Sequence, residues 1–130
     1  MMIDASAPGL DIDAGMALMK SYVDEINELL VELGEHPDSM SRTKIQQTRQ
    51  RLQRLKDRIR VDYRARSTIR GEDAMSDAEK SCVWPAIQEA ATRIYISSRH
   101  RPSQQWIDEL VDVRDSFLYY MPHLAAFLRQ

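Results

Sequence analysis

Residues 41–70 read SRTKIQQTRQRLQRLKDRIRVDYRARSTIR, and no other stretch constrains the fold as tightly. Ile45, Thr48, Leu52, Leu55, Ile59 and Tyr63 recur at three-and-four spacing, the mark of a helix with one buried seam. In heptad terms Ile45, Leu52 and Ile59 take a, and Thr48 and Leu55 take d. Lys44, Arg51 and Arg58 then fall at g, and Arg42, Arg49 and Lys56 at e. Both flanks of the seam are basic, so the helix repels a copy of itself and calls for an acidic neighbour.

That neighbour precedes it in the chain. From Asp11 to Leu33, the residues Ile12, Met16, Met19, Tyr22, Val23, Ile26, Leu29, Leu30 and Leu33 mark a first amphipathic helix, with Gly34 as terminator and Pro37 beyond it. Its g positions include Glu25 and Glu32. In an antiparallel pair g faces g, and a turn centred near Asp38 sets Glu32 opposite Lys44, Glu25 opposite Arg51 and Leu18 under the stem of Arg58. The charge blocks agree: residues 1–38 carry nine acids and one base, residues 39–70 eleven bases and two acids. Each exposed pair is worth ~0.2–1 kcal/mol, which serves register more than stability.

Downstream, Gly71 ends the basic helix and residues 72–75 form a short acidic loop. Ser76-Asp77-Ala78-Glu79 matches a capping box opening a third helix that extends to about Ser98. Pro85 lies inside it and predicts a kink or break near Cys82 to Trp84, unless it sits in the first turn of a helix beginning at Trp84. Pro102-Ser103 opens a fourth helix with Trp106, Leu110, Val113, Phe117 and Tyr120 on one face. Pro122 then bends or restarts the chain, and His123 to Arg129 form a short final helix. Nowhere is there a repeat or strand alternation. The expected fold is all-α: an antiparallel up-and-down bundle of four main helices plus a short C-terminal helix, filling residues 10–130 as a single domain after a disordered tail at 1–9.

Composition narrows the function classes. Cys82 is the only cysteine, which excludes an intrachain disulfide and a Cys-based zinc site. The first ten residues have no basic and apolar leader pattern, and no apolar run approaches the ~20 residues that span a bilayer, so a cytoplasmic protein that avoids membranes is expected. His36, His100 and His123 fall in three different connections without the spacing of a metal site. Glycine-rich phosphate loop and nucleophile elbow are both missing, and no cofactor is expected. Enzymatic chemistry finds no support in these residues.

Two surfaces stand out as docking candidates. Past Ile59 the first helix can no longer supply acids, which leaves Arg60, Arg64, Arg66 and Arg70, with Tyr63 among them, as a surface for an anionic partner or as a plain solvated face. At the other end Tyr119, Tyr120, Leu124, Phe127 and Leu128 are dense enough to dock a second subunit, or to complete the core. The expected function is a non-enzymatic bundle that binds another macromolecule, most naturally a protein, as an adaptor, chaperone-like subunit or inhibitor; a homo-oligomer also fits. The alternative is a small subunit of a ribonucleoprotein that contacts RNA or single-stranded DNA backbone. In size and style of charge the chain is similar to the small all-helical subunits of CRISPR effector complexes, by fold-level analogy and with no shared motif.

Overall fold

The computed structural model describes residues 11–67, 76–94 and 96–129. The expected N-terminal tail, the Gly71 terminator, the acidic loop and Arg70 lie outside them. Among the described residues there are four α-helices: α1 (Ile12–Leu33), α2 (Arg42–Ser67), α3 (Trp84–Arg93) and α4 (Gln104–Ala126). Of these, α1 packs against α4 more extensively than against α2, and α3 lies against both α2 and α4. Their apolar faces merge in one buried cluster centred on Met19, Tyr22, Ile26, Leu52, Ile59, Trp106 and Phe117. Burying a large apolar side chain is worth about 1.5–3 kcal/mol, so this cluster dominates the energetics.

Local chemistry sets the boundaries. The Asp11 carboxylate accepts from the Ala14 N–H at 2.7 Å and caps α1. At the other end Gly34 donates its N–H to the Leu30 carbonyl and adopts φ +63°, ψ −158°, a backbone state strained for any residue with a Cβ. Pro37 is buried in the single 3-10 turn that follows, and the Ser41 hydroxyl accepts from the Lys44 N–H to open α2.

The contacts between α1 and α2 descend one helix as they climb the other, but in a corrected register. Lys44 meets Glu32 at 3.6 Å as expected. Arg51 pairs with Glu28 and Glu32 rather than Glu25, and Glu25 instead takes Arg58 at 2.6 Å. Rows of charge repeating every seven residues match equally well after a slip of seven, so they cannot choose between the two alignments. Tyr22 chooses. Its ring stacks on Phe117 with centroids 5.0 Å apart, its hydroxyl donates to Asp62, and the Arg58 guanidinium lies over the ring at 4.5 Å from its centroid. Burial pushes the Asp62 carboxyl above its ordinary range, against the pull of Arg66.

Pro85 is accommodated without a gap. A π turn, Glu79–Val83, runs directly into α3, with the Trp84 N–H donating to the Glu79 carbonyl five residues back. Widening the turn is one way to relieve the clash between a proline ring and the carbonyl four residues earlier. Pro85 then stands in the first turn of α3. This helix ends at Arg93, short of the expected Ser98, and a connection with a turn at Ser97 to His100 leads to α4. Beyond it α4 continues through Pro122 to Ala126, and one 3-10 turn, Phe127–Arg129, stands in place of the separate helix expected from His123.

Gly15, at a d position of α1, is buried where that helix crosses the π turn and α4. A Cβ there would lie 2.7 Å from Val83 Cγ2 and 3.2 Å from Leu124 Cδ2. Gly15→Ala gains ~1 kcal/mol in helix propensity and loses ~1–3 kcal/mol to overpacking, so net destabilisation of up to about 2 kcal/mol is expected. Val83→Ala in the same chain should reverse the sign by opening the space. Thermal melts of the two single variants and the double variant check this, and a Gly15→Ala protein more stable than the parent would contradict the close crossing.

Candidate functional site

α2 carries two basic rows, and each has a different neighbour. The g row, Lys44, Arg51 and Arg58, faces the acids of α1. The e row, Arg42, Arg49 and Lys56, faces the connection between α3 and α4, which lies along α2 as a strap. Lys56 Nζ donates to the Ile96 carbonyl, the Ser98 hydroxyl donates to Gln53 Oε1, and Arg49 Nε donates to the His100 carbonyl at 3.1 Å. Arg101 continues the line by donating to the Asp38 carbonyl at 3.2 Å. Lys56 is buried, and that burial, with Arg60 nearby, lowers its ammonium below the usual lysine range against the opposing pull of Asp57 and Glu109.

Between the first half of α2 and the strap lies an open groove of about 510 Å³ lined by Arg42, Ile45, Gln46, Arg49, Gln50, Ser98 and Arg99. No carboxylate is among the described residues that line it. Among the described residues no ion pair engages Arg42, Arg49, Arg99 or Arg101. Sequence reasoning assigns the basic flanks of α2 to α1. One signal pointed elsewhere: the e positions of α1 are Met16, Val23 and Leu30, which offer an arginine no charge.

The expected anionic-partner surface at the far end of α2 is divided. Arg60 and Arg64 are exposed. Arg66 is tucked against Glu79, a fully buried carboxylate 3.0 Å away, so this arginine holds α2 to the π turn. Tyr63 is half-buried and stacks on Trp84 with centroids 5.3 Å apart, which occupies one ring face that a base would need. The capping arm of Ser76 is present, its hydroxyl accepting from the Glu79 N–H.

The aromatic C-terminal candidates divide as well. Leu124 is fully buried and belongs to the core, and Phe127 packs partly against it. Tyr120 is half-buried with its hydroxyl donating to Glu89 at 3.4 Å; burial and that carboxylate raise the phenol above its usual range. Only Tyr119 and Leu128 are well exposed, and they border different pockets: Tyr119 one with Glu89 and Arg93, Leu128 one with Ile12 and Ala78. Tyr119 and Tyr120 thus share one pocket, Phe127 and Leu128 share another, and Leu124 lies in the core.

Among the described residues no group of three or more His, Cys, Asp and Glu side chains is placed to hold a metal ion. Cys82 is buried, and burial pushes its thiol up, away from the reactive thiolate. Among the described residues no helix is long and apolar enough to cross a membrane. Comparison with protein-family models, curated proteins and solved structures finds no match.

Proposed function

We propose that the protein is a non-enzymatic, antiparallel up-and-down helical bundle that works by binding another macromolecule, as an adaptor, chaperone-like subunit or inhibitor in the cytoplasm. The observation that supports this is the division of labour among its charges. Lys44, Arg51, Arg58 and Arg66 meet carboxylates of the same chain, whereas Arg42, Arg49, Arg60, Arg64, Arg99 and Arg101 are left to the surface without one. Guanidinium groups held on rigid helices and a pinned strap are pre-ordered donors for an anionic partner, which lowers the entropy lost on binding.

A tagged full-length chain at native level in its host tests the reading by size fractionation in about 0.1 M salt, near a 10 Å screening length. It is expected to elute in a species larger than its 15.1 kDa monomer together with one macromolecule. Elution as the monomer alone would overturn it. The second reading, a small ribonucleoprotein subunit, is favoured by the exposed arginines on α2, and predicts that nuclease collapses the larger species.

A further inference from the structure

We infer that the groove between the first half of α2 and the strap binds the phosphodiester backbone of a nucleic acid through Arg42, Arg49 and Arg99. The inference rests on the binding role proposed above and supplies its partner. Two walls contribute: Arg42 and Arg49 from α2, Arg99 from the strap. Arg42 and Arg49 are seven residues apart on one face, ~10.5 Å along the axis at 1.5 Å per residue. Backbone charges recur about every 3.4 Å along a duplex strand, so the two arginines can meet one strand roughly three phosphates apart. Gln46, Gln50 and Ser98 add neutral donors for phosphate and sugar oxygens.

The lining argues against an acidic protein as the occupant. Protein interfaces concentrate their energy in aromatic and large apolar anchors, and here the one apolar residue is Ile45, itself half-buried. A polyanion read through spaced charge needs no such anchor. Arg49 is also held in place, since its Nε–H is spent on the His100 carbonyl and its other four N–H groups remain for an anion. With no aromatic ring among the described residues of the groove, recognition is through the backbone and independent of base sequence.

The test is fluorescence anisotropy of a labelled oligo-dT with the full chain. Three phosphate contacts on a single strand predict a slope of log affinity against log salt of about −2, hence roughly twentyfold weaker binding at about 200 mM than at about 50 mM. Arg42→Gln or Arg99→Gln, neither of which disturbs the strap bond, should each lower the slope by about 0.7. The triple variant R42Q/R49Q/R99Q should lose binding, and Arg54→Gln, on an exposed part of α2 outside the groove lining, should keep it. The site is overturned if the parent shows no salt-dependent binding of oligo-dT, if a folded triple variant binds like the parent, or if poly-glutamate binds as tightly and is lost in the same variant. A nuclease-resistant host complex alongside failure on oligo-dT would remove this groove while sparing the binding role. A monomer in the host would remove the role itself.

Discussion

Arg66→Met is expected to destabilise the protein by up to about 3–5 kcal/mol, because it removes the guanidinium 3.0 Å from the buried Glu79 carboxylate. For a chain of this length that corresponds to a fall in melting temperature of roughly 10–20 °C. The comparison that gives the result meaning is Arg66→Met/Glu79→Leu, which removes both charges and keeps comparable volume. Buried pairs repay little beyond their own desolvation, so the double variant should recover most of the loss. Thermal and urea unfolding followed by circular dichroism measure both. A single variant melting within about 3 °C of the parent, under 1 kcal/mol, would show that Arg66 does not sustain Glu79. The same pair of proteins separates structure from binding: if Arg66 serves a partner, the double variant will fold well and bind poorly.

Leu124→Ala is expected to cost about 2–5 kcal/mol, and Leu128→Ala close to nothing. Leu124 is fully buried against Gly15 and the core, so its truncation leaves a cavity that a crossing this tight cannot close. Leu128 is 62% exposed, and its removal surrenders little apolar burial. Unfolding of the two variants side by side decides the matter. Equal and small effects would return Leu124 to the surface and restore the C-terminal segment as a docking face.

The helices were legible because their signals are local. Asp11, Gly34 and Ser41 mark boundaries through bonds that reach only three or four residues, and the seam of α2 follows from spacing alone. What was not legible depends on distance across the fold. Glu79 read as the acidic arm of a capping box, because nothing in its sequence neighbours reveals that α1 and α4 pack against its turn. The π turn left a trace that was there to find. Buried Ala78, Cys82, Ala86 and Ala90, with Glu79, Val83 and Ile87, recur at a strict spacing of four. In an α-helix three steps of four drift by ~120°. One turn closed five residues back takes up about one residue and returns the stripe to its face. The groove was the least readable feature, since Arg99 reaches it only by the path of the strap.

That strap has an evolutionary consequence. Lys56, Arg49 and Arg101 hold or extend it through the backbone carbonyls of Ile96, His100 and Asp38, and a carbonyl is the same whichever residue bears it. Arg99 and His100 are exposed, so substitution there leaves these bonds to the course of the chain untouched. Selection can therefore revise the charge of one wall of the groove while the opposite wall and the core stay as they are. Lineages carrying this fold should vary freely at His100, hold fast at Arg49 and Lys56, and keep Arg99 only where they keep the anionic partner.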